Sequence, residues 1–193
     1  MAETPSTFML KPGDPAPSFE LPDPQGKRHA WNEVAGPRGT LVVFACNHCP
    51  YVILIADTLG KLAAEWKTKG LGVVAISSND IENYPQDAPA HMAAFAAEHG
   101  WGFPYLHDDS QDVAKAFGAA CTPDFFLFDG NGELFYAGQF DDSRPRNGTQ
   151  PDGGDLASAV EVMLAGSPAP AEVRPSTGCN IKWKPGNEPA YFG

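Results

Sequence analysis

A continuously apolar run, Leu41-Val42-Val43-Phe44-Ala45, leads directly into Cys46-Asn47-His48-Cys49-Pro50, and no other feature constrains the fold as tightly. A run apolar at every position is the pattern of a strand covered on both faces. Beyond Pro50, the residues Val52, Ile53, Ile55, Ala56, Leu59, Leu62, Ala63 and Trp66 recur at helical spacing. Lys69-Gly70 closes that helix with a basic residue and a glycine, and Leu71 to Ser77 is a second apolar run. Strand, helix and strand at this spacing make a β-α-β unit with a parallel pair. The two cysteines therefore stand where a central strand ends and a helix begins.

That position has chemical consequences. A helix start offers unpaired N–H groups and the positive end of the dipole, and both favour a thiolate. Thiolate is the reactive form of cysteine, so two cysteines separated by two residues beside a β-α-β pattern read as a redox pair. Cys46 is expected to be the nucleophile, with its sulfur facing solvent, and Cys49, one turn into the helix, the resolving thiol. His48 is expected to stabilise the Cys46 thiolate, which makes the disulfide more oxidising. Two other readings of these residues stay open. A soft metal ion could take Cys46, His48 and Cys49 as ligands, although a structural zinc site needs a fourth. Free cysteines also pack inertly as small hydrophobes. Cys121 and Cys179 are single, so there is no second C-x-x-C; each is a further candidate redox thiol.

With 42% apolar residues in 193, the chain can build a core without disulfide staples. Its net charge of −11 argues against nucleic acid and against anionic membrane surfaces as partners. Residues 1–15 show no basic region followed by an apolar run, and no stretch reaches the length of a membrane span. The expected location is cytoplasmic, where a disulfide is more often catalytic than structural.

Elsewhere the chain alternates between strand and helix signals. Ser18 to Leu21 and Arg28 to Trp31 flank Pro24-Gln25-Gly26-Lys27 and predict an N-terminal β-hairpin. A polar loop over 78–88 precedes a helix through Met92 and Phe95. Tyr105-Leu106-His107 is a short strand, and Asp109-Ser110 is placed to cap a helix over Val113 to Phe117. Phe125 to Phe128 and Glu133 to Gly138 flank Asp129-Gly130-Asn131-Gly132, a strong hairpin signal. Asp155 is placed to cap a last helix, and from Gly166 onward the chain becomes proline-rich. This pattern predicts one α/β domain over residues 1–166 and an extended C-terminal tail, 167–193, packed on it through Ile181, Trp183, Tyr191 and Phe192.

Four landmarks resemble the thioredoxin-like superfamily and, within it, the peroxiredoxin-like AhpC/TSA family. They are the lead-in Lys11 to Phe19, the Cys46–Cys49 pair, Thr122-Pro123 ahead of a strand, and the hairpin turn Asp129 to Gly132. The Thr177-Gly178-Cys179-Asn180-Ile181-Lys182-Trp183 segment is also similar to the tail of a peroxiredoxin-like subgroup. The resemblance implies a thioredoxin-like fold, with a central mixed sheet flanked by helices. It further implies that Pro123 is cis, faces the dithiol, and that the backbone at Thr122 binds substrate. One departure matters. Peroxidatic members carry Pro-x-x-x-Thr/Ser-x-x-Cys, whereas Val42-Val43-Phe44-Ala45 precede Cys46 here.

The function read from these residues is thiol–disulfide exchange by the Cys46–Cys49 pair, assisted by His48, with no cofactor and no metal. The partners are protein or small-molecule disulfides and thiols, with a thiol reductant. A peroxidase acting through the same thiols and a soft-metal-binding protein or metallochaperone are the alternatives. Oligomeric state, substrate and direction of electron flow are left open.

Overall fold

The central strand buries both faces by alternation, and the rest of the molecule is arranged around that fact. A computed structural model describes residues 3–192; residues 1, 2 and 193 of the expected domain and tail lie outside the described residues. In chain order the strands and helices are β1 (Thr4–Pro5), β2 (Glu20–Pro22), β3 (Arg28–Ala30), α1 (Trp31–Val34), β4 (Gly39–Phe44), α2 (Pro50–Thr68) and β5 (Leu71–Ser77). After a 3-10 turn at Pro85–Asp87 come α3 (Pro89–Glu98), β6 (Tyr105–His107), α4 (Asp112–Phe117), β7 (Cys121–Thr122) and β8 (Asp124–Asp129). The chain ends with β9 (Leu134–Ala137), α5 (Gly154–Leu164) and β10 (Thr177–Asn180).

All six residues of β4 are buried. Leu41 and Val43 pack on one face against Val52, Ile55, Leu59 and Trp66 of α2, Met92 and Phe95 of α3, and Leu156 and Val160 of α5. Val42 and Phe44 pack on the other face against Val34, Ala114, Phe117 and the tail residues Ile181 and Trp183. Each such side chain contributes about 1.5–3 kcal/mol by leaving water. The sheet is mixed: β4 pairs antiparallel with β8, with Leu41 opposite Leu127, while β5 pairs parallel with β6. The Ala45 N–H to Ile76 carbonyl bond, 2.9 Å, joins the two halves.

Three local expectations are corrected. The β2–β3 hairpin forms, but Trp31 leaves it to open α1, because the Glu33 carboxylate accepts the Ala30 N–H at 2.9 Å and caps a turn there. At the start of α4 Ser110 Oγ accepts the Asp112 N–H at 3.2 Å as expected, but the carboxylate that shares the capping is Asp108 rather than Asp109, taking the Ala114 N–H at 3.0 Å. Asp155 sits inside the first turn of α5 instead of capping it, and its carboxylate accepts the Gln139 amide at 2.6 Å.

The tail strand matters most for the site. β10 lies between β1 and β7, with Gly178 opposite Thr4 and Cys179 opposite Thr122. The Ile181 N–H donates to the Ala120 carbonyl at 3.0 Å and the Lys182 N–H to Asn79 Oδ1 at 2.8 Å.

Candidate active site

Pro50 decides where α2 begins. It has no N–H to lose and its ring pre-sets the helical φ, so it occupies the first helical position. Cys49 is consequently the N-cap, with extended φ −72° and ψ 121°. The sequence reading put Cys49 one turn into the helix and Cys46 at its start; the proline shifts both by a turn, leaving Cys46 in the loop before it.

Four segments converge on this helix start: the Cys46–Cys49 loop, the Pro85–Asp87 turn, the β7–β8 junction and β10. Cys49 Sγ lies 3.1 Å from the Thr122 carbonyl oxygen and 3.0 Å from Cys179 Sγ. Cys46 Sγ lies 3.4 Å from Thr122 Oγ1. The Thr122–Pro123 bond is cis. The structure thus gathers Cys46, Cys49, Thr122, Pro123 and Cys179 in one place. Cys121 faces elsewhere: its buried sulfur is 3.5 Å from the Pro123 carbonyl, and burial pushes its thiol well above the usual range.

Cys46 was expected to present its sulfur to solvent, and instead it is 1% exposed. Its pKa is raised because it donates to Cys49, because it is buried, and because the Asp87 carboxylate is close. Cys49 is shifted the other way, chiefly by its contact with Cys179 and then by Cys46. The Val52 N–H adds to this electrostatically without reaching hydrogen-bond geometry. Cys179 is pushed up by its contact with Cys49 and by burial. The three thiols thus influence one another, with Cys49 the most acidic of them.

His48 stands beside Cys46, with a ring nitrogen within 4.8 Å of its sulfur. Its Nδ1 is 2.7 Å from Asp87 Oδ2, and its ring stacks on Tyr84 with centroids 5.8 Å apart. Asp87 is fully buried and also accepts the Asn47 N–H at 2.9 Å and the Asn79 amide at 2.8 Å. Tyr105 completes the frame by donating to Asn47 Oδ1 at 3.1 Å. Asp87 and Tyr105 were missed as site residues, since each reaches the loop only through the tertiary fold. Cys46, His48 and Asp87 bring potential ligand atoms within 4.8 Å of one another, so Asp87, rather than Cys49, joins the metal-type cluster.

Two clefts lie away from the sulfurs. One of 480 Å³ is lined by Met92, Trp101 and Tyr105, and one of 360 Å³ by His29, Ala63 and Lys67. The recess between Tyr51, Pro123 and Thr177 holds 20 Å³. The tail fills the space in front of the dithiol.

Residues 12–137 match the model of the AhpC/TSA family. A Mycobacterium tuberculosis protein named as a candidate peroxiredoxin is 32% identical over 113 residues, which span 58% of this chain and 67% of that protein. The thiol-disulfide oxidoreductase ResA of Halalkalibacterium halodurans is 26% identical over 126 residues, 65% of this chain and 67% of ResA. The crystal structure of an uncharacterized conserved protein from Geobacillus kaustophilus superposes with a TM-score of 0.92 at 44% identity, covering 96% of this chain and 98% of the other. The architecture is the thioredoxin-like fold.

Proposed function

The chain belongs to the AhpC/TSA family, and we propose that within it the protein is a thiol–disulfide oxidoreductase working through Cys46 and Cys49. The observation that carries this reading is the placement of Cys49 at the N-cap of α2, with Cys179 Sγ 3.0 Å away and Cys46 in the loop just before the helix. The geometry supports Cys49 as the attacking sulfur, which reverses the roles read from spacing alone. Its thiolate attacks a substrate disulfide, forming a mixed disulfide and releasing one substrate thiolate. With the charge gone from Cys49, Cys46 gives up its proton to the departing thiolate and attacks Cys49 Sγ. The Cys46–Cys49 disulfide forms and the second substrate sulfur leaves. His48 and Asp87 position the loop that delivers Cys46.

Protein or small-molecule disulfides are the substrates in this proposal, and a thiol reductant resets the pair. A cytoplasmic setting is part of it; among the described residues no helix is long and apolar enough to cross a membrane. Peroxide is the second substrate class, favoured by the peroxiredoxin names among the relatives.

The test is a redox titration against glutathione, together with reduction of insulin disulfides by the reduced protein. A two-electron transition between about −120 and −270 mV is expected. Cys49→Ser should abolish both the transition and turnover; retained insulin reduction in that variant would refute the assignment. Peroxide consumption by the same samples tests the second class.

A further inference from the structure

We propose that Cys179 is a third redox residue of this site, which takes the disulfide over from Cys46 by exchange at Cys49. The inference rests on the oxidoreductase reading of the Cys46–Cys49 pair. The first observation behind it is distance: Cys179 Sγ is 3.0 Å from Cys49 Sγ, about 1 Å more than a disulfide bond. The second is register. Cys179 lies opposite Thr122 in the β10–β7 ladder, and Thr122 is the residue that touches both Cys46 and Cys49.

The third is the way the strand is built to come this close. A Cβ on Gly178 would meet the Thr122 carbonyl oxygen at 2.0 Å and the Thr122 carbonyl carbon at 2.7 Å. A glycine is needed for this approach, and it directly precedes the cysteine. β10 is also held from its far side. β1 pairs with Thr177 and Gly178, the Ser6 N–H donates to the Ser176 carbonyl at 2.9 Å, and Tyr51, early in α2, donates to Glu3. A sulfur held this firmly against the dithiol is a fixed member of the site.

The step conserves atoms and electrons. Starting from the Cys46–Cys49 disulfide, Cys179 loses its proton and its thiolate attacks Cys49 Sγ. The Cys49–Cys179 bond forms as the Cys46–Cys49 bond breaks. The electron pair leaves on Cys46 Sγ, which takes up the proton that Cys179 released. One disulfide and one thiol are present before and after, so no outside oxidant enters. The product disulfide ties the tail to the start of α2 across the edge of β7. The main chain at Thr122 then stays covered until a reductant opens the Cys49–Cys179 bond.

The experiment uses the full chain, reduced and then oxidised with oxidised glutathione, quenched at intervals with N-ethylmaleimide, digested and mapped by mass spectrometry. The expected result is a Cys46–Cys49 linkage that forms first and is replaced by Cys49–Cys179 as alkylated Cys46 rises. Cys179→Ser should stop at Cys46–Cys49, and Cys46→Ser should give Cys49–Cys179 directly. A wild-type end point of Cys46–Cys49 with Cys179 fully alkylated, and no Cys49–Cys179 in Cys46→Ser, would overturn the proposal and leave the dithiol reading standing. Absence of any linkage among the three sulfurs would overturn both.

Discussion

Replacing Gly178 by alanine tests how tightly the tail governs the site. The added Cβ would stand 2.0 Å from the Thr122 carbonyl oxygen, about 1.3 Å inside the roughly 3.3 Å of an ordinary C–H···O contact. Nothing at that point is a flexible side-chain end, because all three nearest atoms, Thr122 O, Thr122 C and Pro123 N, are backbone. β10 must retreat by more than an ångström or unpair. The Ile181 N–H to Ala120 O bond on the β7 side starts at 3.0 Å, so a retreat of about 1.3 Å takes bonds of this kind beyond useful length. Overpacking of this sort costs about 1–3 kcal/mol. At about 2 kcal/mol, and a urea slope of about 2 kcal/mol/M, the unfolding midpoint falls by about 1 M. The same retreat uncovers Cys46, Cys49 and Cys179, so their reaction with an aromatic disulfide reagent under native conditions accelerates. Tryptophan fluorescence in urea and thiol kinetics measure the two effects. Gly102→Ala, where a Cβ meets nothing within 4 Å, is the control. A Gly178→Ala protein with the midpoint and thiol rate of that control would refute the claim that β10 is seated by this contact.

Three further outcomes follow from the electrostatics. Cys179→Ala and Cys46→Ala each remove a donor from Cys49 and raise its pKa; thiolate absorbance at 240 nm should move to higher pH in both, and further in Cys179→Ala. Asp87→Asn removes a carboxylate that holds the Cys46 pKa up, so pH-dependent alkylation of Cys46, read by mass spectrometry, should begin at lower pH. The amide cannot accept from the Asn47 N–H, the Asn79 amide and His48 at once, and urea unfolding should show a cost of about 1–3 kcal/mol. Asp124 is fully buried and burial pushes its pKa up to about 7. Between the unfolded value of 3.8 and about 7 the folded state keeps a proton that the unfolded state releases. Stability from this group is therefore complete at low pH and lost as pH rises through that window, by a total on the order of 4 kcal/mol. Urea unfolding across the window should show a shallower fall in Asp124→Asn than in the wild type; parallel curves would count against it.

The fold was legible where burial alone decides structure. Leu41 to Phe44 alternate between two cores, and the sequence showed that as unbroken apolar character. The helix after Pro50 and the turn at Asp129 to Gly132 were equally plain, since period and turn chemistry are local properties. Local signals failed where a capping group came from an unexpected neighbour. At α4 Ser110 caps the Asp112 N–H as its chemistry suggests, yet the carboxylate that joins it is Asp108, which reaches Ala114, and not Asp109. Trp31 has strand character, yet Glu33 turns the chain into a helix. Short-range competition of this kind is settled by which side chain the fold leaves free.

The site shows a different limit. Spacing places Cys46 and Cys49 together, but the roles proposed for them depend on which sulfur is more acidic, and that is a tertiary property. The C-x-x-C pattern ranks the first cysteine as the thiolate. Here Pro50 hands the N-cap to the second, and Cys179, 130 residues further along, is in contact with it and lowers its pKa. The buried Asp87 then disfavours a second thiolate on Cys46. Neither Cys179 nor Asp87 is near the motif in sequence, and both act on it through contacts that exist only once β10 and the Pro85–Asp87 turn are docked. It follows that undocking the tail changes the chemistry as well as the access. It removes the largest stabiliser of the Cys49 thiolate at the moment it exposes the sulfur, so the open site is a weaker holder of charge and a more basic attacking thiol. In thiol–disulfide exchange intrinsic nucleophilicity rises with pKa while the thiolate fraction falls, so a substitution that unseats β10, such as Gly178→Ala, changes both at once.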